Sequence, residues 1–456
     1  MKNKYDIIVI GTGQAGPSLA VRMAKAGKKT AIIERKLFGG TCVNVGCIPT
    51  KTLIATARIA FMARQSQNYG VIIDGKIHVD MKAVKARKDR VVQESNEGVT
   101  KWLTETPGLT VIKGHARFSS AKIIRVNDEE LEADQIFINV GGRALVPTIP
   151  GLDRIEYLTN STMMDIDFLP EHLIIVGGSY VGLEFAQMYR RFGSKVTVIE
   201  MSPRIISRED ENVSQAVQSL LQDEGVEFKL NAKNLIVTAK TNLSFEIDGR
   251  RQEVKGSHLL LAVGRIPNTD DLGLKEAGVK TNDRGYIEVD DKLSTNVRGI
   301  WALGDANGKG AFTHTAYNDF EIVAGNLLDQ DNRKVSERIS AYALYTDPPL
   351  ARIGLSVKEA RELGRKVLIG EMKMSRVGRA RERGETIGFM NVLIDAESKK
   401  ILGATLFGIE ADEVIHCILD VMYSGQDYTV IQRAVHIHPT VSELIPTLLG
   451  DLKPLR

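Results

Sequence analysis

Short apolar runs closed by glycines, each followed by a stretch with helical periodicity, mark out the first half of the chain. Tyr5-Asp6-Ile7-Ile8-Val9-Ile10 reads as a strand and ends at Gly11-Thr12-Gly13-Gln14-Ala15-Gly16; a helical stretch, Gly27 and a second strand, Thr30-Ala31-Ile32-Ile33-Glu34, follow. The same order recurs as Ile174-Ile175-Val176, Gly177-Gly178-Ser179-Tyr180-Val181-Gly182, a helical stretch, Gly193 and Val196-Thr197-Val198-Ile199-Glu200. First glycine and closing acid are 23 residues apart in both copies, and the copies are offset by 166 residues at each of these landmarks. A weaker duplication, Ile136-Phe137-Ile138-Asn139-Val140-Gly141 and Leu259-Leu260-Leu261-Ala262-Val263-Gly264, predicts two further buried strands that each return the chain to a cleft. A helical pattern also runs through Leu53, Ile54, Ala57, Ile59, Ala60 and Phe61.

Each repeat is a strand, a tight turn, a helix and a second strand. The first glycine permits the turn and the last lets the helix pack closely on the strand. The helix N-terminus then offers free N–H groups and partial positive charge to a pyrophosphate. Glu34 and Glu200 can accept hydrogen bonds from ribose hydroxyls, so two dinucleotides are expected. Ser179 stands where the strict motif has its middle glycine. A carboxylate at Glu200 repels a 2′-phosphate and favours NAD over NADP, while Arg190, Arg191 and Arg204 lie near enough in sequence to soften that preference.

Composition narrows the class of protein. The 456 residues suggest two to four domains at roughly 100–200 residues each. Apolar residues make up 43% and charged residues 26%, which fits neither a disordered nor a membrane-embedded chain, and no apolar run approaches the ~18 residues of a membrane span. A net charge of +3 lacks the basic excess of a nucleic-acid binder. Three cysteines cannot build a secreted disulfide framework, and no signal-peptide pattern opens the chain. The expectation is a soluble cytoplasmic protein without nucleic-acid or membrane partners.

Two of the cysteines lie in Gly39-Gly40-Thr41-Cys42-Val43-Asn44-Val45-Gly46-Cys47-Ile48-Pro49-Thr50-Lys51, just ahead of the Leu53–Phe61 pattern. Pro49 suits a first helical turn, which puts Cys47 at or just before a helix N-terminus, where the dipole stabilises a thiolate. Cys42 lies in a glycine-flanked loop. Buried hydrophobes, metal ligands, a coincidental pair and a redox pair are all open readings; metal binding lacks further Cys or His nearby, the closest histidine being His78. The redox reading is favoured and no metal site is assigned. Cys417, within Val414-Ile415-His416-Cys417-Ile418, reads as an inert core thiol. In His436-Ile437-His438-Pro439-Thr440-Val441-Ser442-Glu443, the acid five residues beyond His438 can orient its imidazole as a proton manager; alone, the segment reads better as a surface loop with two solvated histidines, and the cysteine context reverses that preference.

Taken in order, these motifs, with Ala262-Val263-Gly264-Arg265-Ile266-Pro267-Asn268 and Gly304-Asp305-Ala306-Asn307, resemble the FAD-dependent pyridine nucleotide–disulfide oxidoreductases, which include dihydrolipoamide dehydrogenase, glutathione reductase and mercuric reductase. The resemblance spans Ile8 to about Glu443. It implies an α/β fold with two Rossmann-like dinucleotide-binding domains, for FAD (1–145 and 272–335) and NAD(P) (146–271), and a C-terminal α+β dimerisation domain (336–456). By the same resemblance FAD is bound through Gly11, Gly13, Gly16 and Glu34, with Gly40 and Thr41 near its phosphates, Ala116 on the adenine side, Asp305 at the ribityl chain and Lys51, paired with Glu184, beside the flavin. NAD(H) is bound through Gly177, Ser179, Gly182, Glu200 and Gly264, and Tyr180 covers the flavin until nicotinamide displaces it. Cys42 is the thiol that exchanges with substrate, Cys47 the thiol over the flavin, and His438 with Glu443 the acid–base pair, reaching the site from the partner subunit of a homodimer.

The branch is less defined. Ala60-Phe61-Met62-Ala63-Arg64-Gln65-Ser66 and the general spacing are similar to mercuric-reductase-like members, but Leu448–Arg456 holds no cysteine pair and His438 stands where those proteins have tyrosine. The His438 motif instead resembles members acting on a thiol substrate such as dihydrolipoamide. The expected activity is electron transfer between NAD(P)H, FAD and Cys42–Cys47, then to a thiol or disulfide acceptor. A metal-ion acceptor (Cu²⁺ or Hg²⁺) is the alternative, and a non-catalytic flavin redox sensor a further one.

Overall fold

The computed structural model describes residues 3–239 and 241–455. Its first unit is β1 (Asn3–Ile10), α1 (Ala15–Lys25) and β2 (Thr30–Glu34), with β1 and β2 parallel and Val9 opposite Ile32. Ile7 to Ile10 are all buried, because the strand has helices or chain on both faces. Next come α2 (Gly40–Asn44), α3 (Cys47–Gln65) and α4 (Met81–Thr104), and then β3 (Leu109–Lys113) on the outer edge of β2. β4 (Ala116–Ser120) and β5 (Ile123–Val126) form an antiparallel pair leading into β6 (Glu129–Ile138), which runs parallel to β1 on its other side.

The second unit repeats this plan. β7 (Gly142–Ala144) and β8 (Leu158–Thr159) lead to β9 (His172–Val176), α5 (Tyr180–Phe192), β10 (Lys195–Ile199), α6 (Glu211–Asp223) and β11 (Val226–Lys229). A three-stranded antiparallel sheet follows, β12 (Lys233–Ala239), β13 (Asn242–Ile247) and β14 (Arg250–Lys255). β15 (His258–Leu261) then completes the parallel order β11-β10-β9-β15-β8. β6 and β15 are the two buried strands expected from the weaker duplication. They flank β1 and β9 in equivalent ways.

β16 (Arg265–Pro267) pairs back with β7, and β17 (Ile300–Ala302) adds to the first sheet beside β6. α7 (Thr313–Leu328) packs on α1. The last sheet is antiparallel, in the order β18 (Ala341–Leu344), β19 (Leu350–Gly354), β22 (Ile401–Phe407), β21 (Phe389–Asp395), β20 (Val367–Lys373), β23 (Lys453–Pro454). The short helix α8 (Val357–Glu362) follows β19. Its core is separate from those of the parallel sheets and includes Ile353, Met390, Val392, Ala404 and Leu406.

The helical run 40–69 corrects one expectation: by length and composition it could cross a membrane. Its cations tie it to neighbouring elements of the fold. Lys51 binds Glu184 on α5, Arg64 donates to the backbone oxygen of Arg191, and Arg58 pairs with Glu385 and with Asp347, in the loop between β18 and β19. Buried Arg191 bridges Glu224 and the same Asp347, so α3, α5 and the last sheet share one ion network. The Leu53, Ala57 and Ala60 face of α3 is buried as the pattern implies, whereas Ile59 is 70% exposed.

Candidate functional site

The two glycine turns match position for position. A methyl group on Gly11 (φ +101°) would lie 2.3 Å from the Asn139 carbonyl oxygen, and on Gly177 (φ +114°) 2.4 Å from that of Ala262. On Gly16 or Gly182 it would lie 2.1 Å from the oxygen of the first glycine of its own turn. No larger side chain fits these contacts without moving backbone, so the helix N-termini of α1 and α5 are drawn tight against their strands. The acids also correspond. Glu34 accepts hydrogen bonds from the backbone N–H groups of Thr12 (3.0 Å) and Lys36 (2.8 Å), and Glu200 from those of Gly178 (2.6 Å) and Ser202 (2.8 Å). Both carboxylates are thereby fixed at the mouth of a turn with lone pairs left for ligand hydroxyls. Ser179 has an extended backbone (φ −105°) and makes no capping bond, so its position does not demand glycine. Gly264, just past β15, has φ +127°.

Gly40 abuts the first turn: a methyl there would meet the Gly13 Cα at 2.8 Å, which sets Thr41 and the start of α2 beside the cradle. Ala116 is buried at the start of β4. Asp305 lies in the turn after β17, 3.5 Å from Arg265; burial pushes its carboxyl upward and Arg265 opposes this. The turn is locked from α7 by buried Asp319, which accepts from the Gly304 N–H (2.8 Å) and the Asn307 amide (2.9 Å). A cradle closed by side-chain-free backbone, with a fixed carboxylate and a second acid near the helix ends, suits a dinucleotide such as FAD.

The cysteine loop closes because Gly46 has no side chain; a methyl there would lie 2.8 Å from the Thr41 oxygen and 3.2 Å from the Cys42 Cα. Cys47 is consequently the first residue of α3 and its thiol interacts directly with that of Cys42. The Cys42 S–H donates to the Cys47 sulfur and holds the Cys47 thiol down, to about 6. The Thr313 hydroxyl at 3.1 Å and the Lys51 charge add to this, against burial. The same bond, then burial, pushes Cys42 far up. Cys417 is half-buried, donates to the Val414 oxygen at 3.1 Å and is raised to about 11 by burial, in keeping with an inert thiol.

Lys51 sits one helical turn beyond Cys47 and donates to both oxygens of Glu184 (3.0 and 2.8 Å), while its ammonium lies 4.5 Å from the Tyr345 ring centroid. Glu184 sits one turn beyond Tyr180, so the sulfur site and the second dinucleotide turn meet across the α3–α5 contact. Arg190 and Arg191 are committed elsewhere: Arg190 donates to the Glu224 and Ser194 carbonyls, Arg191 pairs with Glu224 and Asp347.

His438 Nδ1 is 2.8 Å from Glu443, yet its side chain is 79% exposed, beside the almost bare Val435 and Ile437. Among the described residues no hydrogen bond or ion pair joins His438 or Glu443 to either cysteine of its own chain. Two cavities of about 770 Å³ each flank the far end of α3; Arg190 and Arg191 line the second, and neither contains a residue expected to bind cofactor or to act on the sulfurs. Among the described residues no group of three or more His, Cys, Asp or Glu could hold a metal ion.

Residues 5–319 match the family described as pyridine nucleotide-disulphide oxidoreductase, and residues 340–449 the dimerisation domain of that family. The chain belongs to the pyridine nucleotide–disulphide oxidoreductases. Within that family it is 34% identical, over 99% of this chain and 100% of the relative, to the probable pyridine nucleotide-disulfide oxidoreductase RclA of Escherichia coli. It is 32% identical to the dihydrolipoyl dehydrogenase of Bacillus subtilis (96% of each chain) and to the mercuric reductase of Bacillus cereus (90% of this chain, 66% of the relative). A solved structure described as the Cu(II) complex of HOCl-induced flavoprotein disulfide reductase RclA from Escherichia coli superposes with a TM-score of 0.89 at 32% identity, covering 98% of this chain and 99% of that one. Membership implies FAD, a pyridine nucleotide, the redox-active pair Cys42–Cys47 and, from its dimerisation domain, a homodimer.

Three residues of the site are absent from the sequence reading: Thr313 beside Cys47, Asp319 beneath the Asp305 turn, and Glu209, a buried acid that binds Tyr180. Thr313 and Glu209 stand in no motif at all. Asp319 has a weak signal, an acid in an otherwise apolar helix face.

Proposed function

We propose that this protein passes electrons from NADH through FAD to the Cys42–Cys47 disulfide, and then to a small disulfide acceptor of the lipoamide type, as a cytoplasmic homodimer. The observation that carries this reading is the setting of the sulfurs: Cys47 begins α3, 3.1 Å from the Thr313 hydroxyl and one turn from the Lys51–Glu184 pair, a placement that favours its thiolate over that of Cys42. Bound FAD supplies the two-electron step between nicotinamide and sulfur. Overall, NADH, a proton and the disulfide give NAD⁺ and two thiols, and an acceptor disulfide takes the electron pair onward by thiol exchange.

The chain's own residues bind, orient and manage protons. Gly11, Gly13, Gly16, Gly40 and Thr41 let backbone approach the FAD pyrophosphate, Glu34 takes the ribose, Ala116 lies on the adenine side and Asp305 takes the ribityl hydroxyls. Gly177, Ser179, Gly182, Glu200 and Gly264 receive NAD(H), with Tyr180 over the entry. The fixed Glu200 carboxylate and the engaged Arg190 and Arg191 support NADH over NADPH. Lys51, steadied by Glu184, keeps a cation where electron density is taken up. Cys47 is the thiol facing the flavin and Cys42 the one that attacks or leaves the substrate. Its high pKa calls for a base, which is His438 of a second copy; with Glu443 on Nδ1, the Nε2 is free to take the proton.

A metal-ion acceptor is the second reading, favoured by relatives described as a Cu(II) complex and as mercuric reductases together with a soft, reactive thiolate pair in this chain. Steady-state assays with lipoamide, glutathione disulfide, Cu²⁺ and Hg²⁺, each with NADH and NADPH, separate the two. Fastest turnover of lipoamide with NADH is expected; turnover of metal ions alone overturns the thiol assignment.

A further inference from the structure

Glu200 is the acid that closes the second repeat, and the chain around it is pinned on both sides. Its N–H donates to the Lys229 oxygen (2.9 Å), its backbone oxygen accepts from the Ala232 N–H (3.0 Å), and its carboxylate takes the N–H groups of Gly178 and Ser202. The Ser202 oxygen in turn accepts from the Asn231 N–H (3.0 Å). Further on, Ile206 donates its N–H to the Gly178 oxygen (2.8 Å), and buried Glu209 pairs with buried Arg352 at 2.6 Å. Met201 lies inside this clamp, between Glu200 and Ser202, yet it is 74% exposed. Held backbone and a bare side chain together fix a thioether at the rim of the second dinucleotide turn, one residue from the carboxylate assigned to the ribose.

No other methionine among the described residues is placed in this way. The rest are buried in the cores, as Met188 and Met390 are, or half-buried, as Met62 and Met422 are. A thioether needs no ionisation to react, so access decides which methionine an oxidant reaches first. Cys42 and Cys47 do not compete once they are joined as a disulfide, and Cys417 is a half-buried thiol hydrogen-bonded to the Val414 oxygen. The chemistry of the change is large for one atom. A methionine side chain is apolar, polarisable and well suited to lie against an aromatic ring, whereas its sulfoxide is polar, chiral and hydrated.

We propose that Met201 is a modification site: as a thioether it offers apolar surface to the adenosine end of NAD(H), and its oxidation to the sulfoxide by a peroxide lowers nucleotide affinity. The inference rests on the reading of the second turn as the NAD(H) site and adds a means of regulating it. In the modifying step the peroxide O–O bond breaks and one of its oxygen atoms forms the S–O bond. The sulfur gives up two electrons, and the rest of a hydrogen peroxide molecule leaves as water. The new oxygen is an acceptor one residue from the Glu200 carboxylate, itself an acceptor, so the adenosine loses an apolar contact and gains no donor. Control falls on the entry of electrons and leaves the sulfur pair intact.

The test treats disulfide-form holoenzyme with hydrogen peroxide, locates methionine sulfoxides by mass and measures NAD⁺ binding by calorimetry. Met201 is expected to be oxidised first, and the dissociation constant for NAD⁺ to rise about fivefold in step with its sulfoxide. Methionine sulfoxide reductases A and B together should restore the affinity. Met201→Gln is polar from the start and should bind NAD⁺ about fivefold more weakly than wild type, with no further change on treatment. Met201→Leu cannot take up oxygen, so peroxide should leave its own dissociation constant where it began. Oxidation that spares Met201, an affinity indifferent to its sulfoxide, or a Met201→Leu that weakens with peroxide as wild type does overturns the proposal. Untreated wild-type holoenzyme that neither binds NAD⁺ nor is reduced by NADH overturns the nucleotide-site reading itself, and the regulation with it.

Discussion

At the scale of single residues, the chemistry depends on how a few atoms split the character of two identical side chains. Cys47 gains a donor from Cys42, another from Thr313, the charge of Lys51 and the end of α3, whereas Cys42 gives its proton and is buried, which its own bonds to Thr313 and the Cys47 backbone offset only in part. Alkylation of the reduced protein should therefore rise through a pH of about 6 as Cys47 ionises, well below the value of an ordinary cysteine, with Cys42 unreactive until far higher pH. Thr313→Val removes one donor at nearly constant shape. If that bond is worth about one pKa unit, the Cys47 alkylation rate at pH 6.5 falls roughly threefold and its midpoint moves up. An unchanged profile would mean that Thr313 does not bear on the thiolate. This contact links residues 266 apart in sequence and the Glu209–Arg352 pair links residues 143 apart, which is why neither could be read from local pattern. The cysteine loop, by contrast, was legible as a helix N-terminus because Pro49 and the Leu53–Phe61 pattern lie within the same few turns.

At the scale of elements, the two glycine turns do the same physical work for different ligands, so they should fail separately. Gly16→Ala forces a methyl against the Gly11 oxygen and is expected to yield protein with FAD content lowered at least tenfold. Gly182→Ala, which meets the Gly177 oxygen at the same 2.1 Å, should retain FAD while binding NAD⁺ at least tenfold more weakly. Flavin absorbance of the purified proteins and NAD⁺ calorimetry give both answers, and loss of FAD from both variants would contradict the division of labour. These units were readable from sequence because every requirement is local: a buried apolar run, a turn that excludes Cβ atoms, and an acid 23 residues on. The last sheet was not. Its strands β20 to β22 follow no spacing that distinguishes them from other half-buried strands, and only the family resemblance anticipated them. The exposed Ile59 shows the same limit, since helical periodicity marks an apolar face but not whether this chain alone covers it.

At the scale of the whole molecule, no hydrogen bond or ion pair among the described residues joins the histidine to the sulfurs within one chain, and the family's dimerisation domain offers the means to unite them. The 99% exposed Val435 and the 80% exposed Ile437 beside His438 are the apolar surface such a contact would cover. Two inactive homodimers, Cys47→Ser and His438→Ala, should therefore regain about a quarter of wild-type thiol–disulfide activity when unfolded and reassembled together, since half the dimers carry one complete site. Mixtures that stay inactive would place the base within a single chain or elsewhere. The most direct test of the electron path is to reduce the holoenzyme anaerobically with NADH, trap it with iodoacetamide and locate the label by mass. Cys47 and Cys42 should become alkylatable, at pH values suited to each, only after NADH is added, and in step with the electrons delivered. A flavin that is fully reduced while both cysteines stay locked in their disulfide would contradict the account.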